Sequence, residues 1–241
     1  PTHISMRQST HIWQRVYALA CNSASVSRSS SSSSSSSSCK PANIWCVGLN
    51  YAEHVKELGS VAATNNPLIF LKAGSSMLAN GAELLLPSWS ENVHHEVELA
   101  IEVDANLQPV RGAVSLDLTA RDVQTQLKKA GWPWTLAKSF PGSTPVGTPF
   151  SLTGLDVQKL ELRLTVNGAV RQQSSTALML FDVKTLLKYI KDHLPVVPGD
   201  LVLTGTPHGV SALSPGDKLV AEVLSADGKV LSEGSWQVVR R

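Results

Sequence analysis

The run His94-His95-Glu96-Val97-Glu98-Leu99-Ala100-Ile101-Glu102-Val103 sets carboxylates at alternating positions of a stretch that is otherwise apolar. Side chains alternate along a strand, so Glu96, Glu98 and Glu102 share one face while Val97, Leu99, Ile101 and Val103 form a buried opposite face. Neighbouring carboxylates repel each other. Two environments offset that repulsion: water over an exposed face, or a hard divalent cation that takes oxygen ligands. The run by itself leaves both open.

Other segments carry chemistry-bearing residues of their own. Asn50-Tyr51-Ala52-Glu53 is a capping-box pattern that starts a brief helix ended by Gly59, which puts His54 and Glu57, three apart, on one helical face. In Ser115 to Gln124 a strand end runs into a helix start, where Thr119 and Asp122 make a second capping box. Asp122 is thereby explained as the cap partner. Asp117 precedes the cap and is free to point elsewhere, while Arg121 and Gln124 share a face of the first turn. Trp134 to Phe140 reads as a β-like run in which Lys138 sits alone among apolar neighbours, a setting where lysine usually snorkels to solvent. Leu203 to Val210 reads as a strand entering a Gly-rich turn, whose amides and hydroxyls, Thr206 among them, could hold a carboxylate.

The elements that must position these groups are those of an α+β, strand-rich domain. Ile44 to Gly48 reads as a short strand. Asn167-Gly168 and Asp227-Gly228 each join strand-like runs as hairpin turns, so antiparallel pairing is expected. Phe181 to Leu194 has apolar residues at helical spacing and is expected to cover a sheet. The turns Pro198-Gly199-Asp200 and Pro215-Gly216-Asp217 introduce strands over Leu201 to Thr204 and Lys218 to Val223. There is no internal repeat and no second-domain linker.

A chain of 241 residues with 42% hydrophobic residues can bury one substantial core. Its net charge of +2 is small and its basic residues are scattered, which points away from nucleic acid and membrane surfaces as partners. No apolar run reaches the roughly 18 to 20 residues of a membrane span. Cys21, Cys39 and Cys46 match neither a disulfide framework nor a zinc spacing, which favours a reducing compartment. Before Glu53 there is no acidic residue, while Arg7, Arg15, Arg28 and Lys40 flank the unbroken serine tract Ser29 to Ser38. Such a segment cannot offset its ordering entropy by apolar burial. Its composition is that of an organelle transit peptide, with the mitochondrion as first choice and the cytosol as second, or else of a linker. Residues 1–41 are therefore read as a leader and 42–241 as the catalytic domain.

Taken in order, Val47 to His54, Phe70-Leu71-Lys72, Glu96-Val97-Glu98, Asp117 to Gln124, Leu136-Ala137-Lys138-Ser139-Phe140 and Leu203 to Pro207 resemble the fumarylacetoacetate hydrolase (FAH) family. The resemblance runs from about Ile44 to the C-terminus. His94-His95-Glu96 and Pro133 to Phe140 look most like its mitochondrial acylpyruvase and oxaloacetate decarboxylase branch. It implies a mixed β-roll or β-sandwich with a few covering helices, a Mg²⁺ or Mn²⁺ ion, and a homodimer.

Carried over residue by residue, the resemblance makes Glu96, Glu98 and Asp117 the metal ligands. His54 and Glu57 become a dyad that activates water, Lys138 an electrophile, and Arg121, Gln124 and Thr206 the groups that position a small β-keto acid. The implied reaction is hydrolysis of the carbon–carbon bond of acylpyruvates through a pyruvate enolate. Decarboxylation or keto–enol tautomerisation of oxaloacetate would share that enolate. His94, His95 and His208 are left as structural neighbours. Two departures bear on this. Leu49 stands where that branch often has Arg, which alters the contact with the far end of the substrate. The interval from Glu98 to Asp117 is shorter than the family's and lacks a helix and part of the following strand, on which Asp117 depends for its position. The alternatives are a catalytically impaired FAH-fold binding protein and an isomerase or hydratase of aromatic meta-cleavage pathways.

Overall fold

Short aliphatic runs punctuated by Gly, Pro and Asp build many strands and few helices. The computed structural model describes residues 40–62 and 65–240, so the leader read at residues 1–41 lies, but for its last two residues, outside the described residues. In chain order the first strands are β1 (Asn43–Gly48), β2 (Leu68–Ala73), β3 (Met77–Leu78), β4 (Glu83–Leu85), β5 (Val93–His95), β6 (Val97–Val103), β7 (Pro109–Leu116) and β8 (Thr119–Ala120). They are followed by β9 (Thr144–Pro145), β10 (Phe150–Ser151), β11 (Glu161–Val166), β12 (Ala169–Ser175), β13 (Leu201–Leu203), β14 (Ser211–Ala212), β15 (Lys218–Leu224) and β16 (Val230–Val239). The α-helices among the described residues are α1 (Ala52–Glu57), α2 (Arg121–Ala130), α3 (Thr135–Lys138) and α4 (Val183–His193). None of them is long and apolar enough to cross a membrane.

The site rests on a mixed sheet of order β10-β7-β6-β13-β1-β2, in which only β1 and β13 run parallel. A second sheet, β12-β11-β15-β16-β4, supplies Leu162, Leu164, Leu219, Val223 and Trp236 to a core that also takes Leu99, Ile101 and Val114 from the first. Helix α4 adds Val183, Leu186 and Ile190 to that core, starting where the Asp182 carboxylate accepts the Thr185 N–H at 2.7 Å. The other face of the first sheet has its own cluster, Ile44, Cys46, Ala100, Leu201 and Leu203. β6 is therefore covered on both faces, and the solvated carboxylate face allowed by the alternation is not there. Glu98 is buried, and Glu102 turns to Arg111 on β7 instead of joining it.

The hairpin at Asn167-Gly168 forms as expected, with both residues at positive φ (53° and 79°), the geometry of a type I′ turn. The capping boxes do not form. The Asn50 side chain donates to the carbonyls of Phe181 (3.0 Å) and Thr204 (2.8 Å) and accepts the Phe181 N–H, so it ties three segments together and leaves α1 without a side-chain cap. Thr119 lies in a strand and donates to the Asp117 carbonyl, while Asp122 accepts from Ser90 and the Glu91 amide. Tertiary hydrogen bonds took the side chains of Asn50 and Asp122, and Thr119 turned to a carbonyl two residues back. Trp134 to Phe140 is a helical turn, α3, and not a β-run, and Lys138 within it is buried.

The short Glu98–Asp117 interval is closed by a direct hairpin. β6 pairs antiparallel with β7 from Val97 opposite Leu116 to Glu102 opposite Arg111. Asp104 closes the turn by accepting the amides of Asn106 (2.7 Å) and Gln108 (2.9 Å), and β7 runs for eight residues. That register delivers Asp117 to Glu96, whose carbonyl accepts the Asp117 N–H at 2.8 Å.

Asp200 fastens the parallel pair at the centre of the sheet. Fully buried, it accepts from the Asn43 amide (2.9 Å), the Asn43 side chain, the Trp45 indole (2.9 Å) and the Val197 amide (3.0 Å). Asp200→Ala strands these donors, and a loss of about 3 kcal/mol in unfolding free energy is expected. Urea denaturation checks it; a change under about 0.5 kcal/mol, the range of ordinary surface substitutions, would show that the network is not a stabilising staple.

Candidate active site

Glu96 sits between β5 and β6, Glu98 on β6, and Asp117 just past β7. A carboxylate oxygen from each lies within 4.8 Å of the others, and all three side chains are buried. Burial of such a group is costly unless its charge is answered. Lys138 Nζ donates to Asp117 Oδ2 at 2.5 Å and to Glu96 Oε2 at 2.8 Å. Arg121, at the start of α2, pairs with the other oxygen of Glu96 and donates to Gln124 Oε1 at 2.7 Å. Lys72, fully buried on β2, donates to Asp117 Oδ1 at 2.6 Å and to the Ser143 carbonyl at 2.7 Å.

The three carboxylates thus have three cations beside them, and the pairing is uneven. Burial alone would raise the Glu96 carboxyl, but Lys138 and Arg121 outweigh it and hold the group ionised well below the usual range. Burial would strip Lys138 of its proton; Asp117 and Glu96 reverse that and keep it charged. Glu98 accepts the Gly205 N–H at 2.6 Å and has no salt bridge among the described residues. Burial first, then the charges of Asp117 and Glu96, push its carboxyl well above the ordinary range. A cluster of oxygen donors in which one carboxylate has no cation of its own suits a hard divalent ion. Glu96, Glu98 and Asp117 are the residues that fit it.

Beside the acids, His54 on α1 meets Glu57, one turn on, at 2.9 Å from Nδ1 to Oε2. The second oxygen of Glu57 accepts the Gly209 N–H at 3.0 Å. The amides of the Gly-rich turn do hold carboxylates, and these belong to the protein itself: Gly205 holds Glu98 and Gly209 holds Glu57. Gly205 has φ +99°, and a Cβ there would stand 2.7 Å from that of Asn50, so no other residue fits. Thr206 Oγ1 is held by the Gln172 side-chain amide at 2.9 Å, and Gln172 also meets His95 at 3.0 Å.

An open cavity of about 450 Å³ is lined by His54, Glu96, Glu98, Asp117, Arg121, Gln124, Lys138 and Thr206. Of the residues to which the resemblance gave a role in the site, only Glu57 is absent from its wall, and it meets the cavity-lining His54. Sequence reasoning gave no role to Lys72 or Gln172. A lysine alone in the apolar run Ile69-Phe70-Leu71 was a readable signal for the first, whereas Gln172, a polar residue on a hairpin strand, had none.

Residues 43–234 match the family described as Fumarylacetoacetate (FAA) hydrolase C-terminal. The oxaloacetate tautomerase FAHD1, mitochondrial, of Bos taurus is 40% identical over 192 residues, which cover 75% of this chain and 86% of the relative. The oxaloacetate tautomerase YcgM of Escherichia coli is 43% identical over 191 residues, 74% of this chain and 86% of the relative. The crystal structure of fumarylpyruvate hydrolase from Pseudomonas aeruginosa in complex with Mn²⁺ and pyruvate is similar in fold, with a TM-score of 0.76 and 31% identity, over 83% of this chain and 91% of that one.

Glu98→Gln keeps the shape and the Gly205 hydrogen bond while removing the charge. Titration calorimetry with Mn²⁺ is expected to show affinity lower by roughly 100-fold or more, above the 10- to 100-fold typical of residues that only support ligands. Undiminished affinity would remove Glu98 from the ligand set.

Proposed function

The chain belongs to the fumarylacetoacetate hydrolase family, and we propose that it is a Mg²⁺- or Mn²⁺-dependent enzyme that cleaves the carbon–carbon bond of acylpyruvates through a pyruvate enolate. Oxaloacetate would be decarboxylated or tautomerised at the same centre. The observation that carries this reading is the buried acid triad, bridged by Lys138, in one cavity with the His54–Glu57 dyad. The ion, held by Glu96, Glu98 and Asp117, would supply positive charge for the substrate's carboxylate and 2-oxo oxygens and for the enolate that follows.

The side chains supply the rest. Glu57 takes the Nδ1 hydrogen of His54, which leaves Nε2 as the basic atom toward the cavity. Nε2 removes a proton from water, the hydroxide adds to the distal carbonyl, and the bond between that carbon and the methylene breaks with its electron pair passing to the pyruvate fragment. The imidazolium then returns the proton to the methylene carbon, giving pyruvate and a carboxylic acid. Lys138, fixed by two carboxylates, directs its remaining N–H toward the developing negative charge. Arg121 and Gln124, locked to each other at 2.7 Å, and Thr206, aimed by Gln172, orient the substrate. For tautomerisation the same base would take a proton from the methylene carbon, the 2-oxo oxygen would gain one as the enol forms, and the reverse transfer would restore the ketone, with no water consumed.

The reading as an impaired binding protein loses its motive, because the shortened interval forms a hairpin that delivers Asp117 to Glu96. By the same proposal residues 1–41 are a mitochondrial transit leader ahead of a homodimeric catalytic domain. Its supports are the leader's Arg- and Ser-rich, acid-free composition and the mitochondrial designation of the bovine relative.

With Mg²⁺ present, the protein is expected to release pyruvate from acetylpyruvate or to change oxaloacetate, and a chelator to abolish either activity. His54→Ala should lower kcat for hydrolysis by about 10²- to 10⁴-fold while calorimetric Mn²⁺ binding persists. Unchanged kcat in that variant would exclude His54 as the base.

A further inference from the structure

Resting on that reading, we infer that Gln172 is a positioning residue for the proposed reaction: it fixes the Thr206 hydroxyl as a hydrogen-bond donor toward the cavity, where that hydroxyl holds an anionic oxygen of the substrate. Gln172 is 1% exposed and does not line the cavity, whereas Thr206 does. It therefore acts through Thr206.

Two backbone groups settle which end of the Gln172 amide is which. The Val97 N–H, which can only donate, lies 3.0 Å from Oε1, and the Pro207 carbonyl, which can only accept, lies 2.9 Å from Nε2. Nε2 is thus the atom that donates to Thr206 Oγ1 at 2.9 Å. His95 Nδ1, 3.0 Å from Oε1, must then carry a hydrogen, and Ser211 Oγ meets its Nε2 at 2.7 Å, so the ring is held from both sides. With Oγ1 accepting from Gln172, the hydrogen of the Thr206 hydroxyl needs an acceptor of its own. Among the described residues the Pro207 carbonyl is the candidate, and at 3.5 Å it stands beyond the roughly 2.5 to 3.0 Å usual for such a bond and already accepts from Gln172. The hydrogen is left for the cavity.

An irregularity in β12 aims this side chain. Leu164 of β11 faces Gln172 while the next residue, Thr165, faces Val170, which leaves Arg171 as an extra, bulged residue. Ala169, Val170 and Arg171 are exposed, and Gln172 turns inward just past the bulge. The Gly-rich turn seats against the same place: a Cβ at Gly209 would stand 2.2 Å from the Arg171 carbonyl and 3.3 Å from Gln172 Cγ.

Calorimetry of the full chain with Mg²⁺ present and pyruvate as the probe tests this. Thr206→Val keeps the shape and removes the hydroxyl. It should weaken pyruvate by about tenfold or more, the worth of a hydrogen bond to a charged group, with Mn²⁺ affinity within about twofold of the unaltered protein, and Thr206→Ser should restore pyruvate binding. Gln172→Glu, measured at alkaline pH where its carboxyl is ionised, reverses the polarity: its second oxygen accepts from Thr206, whose lone pairs then face the anion. It should weaken pyruvate by about tenfold or more on its own and several-fold less with Thr206→Val already in place. Should the buried carboxylate prevent folding, Gln172→Met, neutral and of similar length, is measured in the same two backgrounds, with a difference of about threefold between them expected. Equal losses in the two backgrounds, as a structural role or simple charge repulsion would give, overturn the polarity assignment and leave the proposed chemistry standing. So does pyruvate binding that Thr206→Val leaves unchanged. Binding of no pyruvate by the unaltered protein overturns both.

Discussion

The structure depends on one electrostatic constraint: three carboxylates must be held together out of water. Glu96, Glu98 and Asp117 come from the edges of two neighbouring strands, and in isolation their repulsion and desolvation would break the hairpin that brings them together. Lys138 answers most of this by bridging Asp117 and Glu96, with Lys72 behind Asp117 and Arg121 on Glu96. That requirement explains otherwise odd features. Lys72 is completely buried on a strand, and Trp134 to Phe140 folds as a helical turn that aims Lys138 inward.

The Gly-rich turn after β13 couples the acids to the base. Its Gly205 amide holds Glu98, its Gly209 amide holds Glu57, and Thr206 between them faces the cavity. At Gly209 a Cβ would stand 2.2 Å from the Arg171 carbonyl, so the turn lies tightly against β12. β12 in turn supplies Gln172 to Thr206 and His95. A single rigid loop thus sets the distance between the acid cluster and the His54–Glu57 pair, with the second sheet as its support. Positioning of that kind is what turns a set of reactive side chains into a site.

Much of this was legible along the chain, and for a common reason. Periodicity and turn chemistry act over a few residues, so β1, α4, the Asn167-Gly168 hairpin and the one-turn spacing of His54 and Glu57 follow from sequence. The ordered motifs also placed the chain in its family. The local readings failed where a distant partner offered more. Asn50 and Asp122 look like members of capping boxes but bond to Phe181, Thr204, Ser90 and Glu91, far along the chain, and both faces of β6 are covered by residues that its alternation cannot see.

Which residue types are available for chemistry, their order, and the short elements that carry them follow from the order of amino acids alone. Folding in three dimensions settled the rest: the shortened Glu98–Asp117 interval closes as a hairpin with its acids together, and Lys72 belongs to the cluster. The reason is physical. Burial and charge pairing are properties of neighbours in space, and the neighbours of Asp117 include Lys72, 45 positions away in the chain.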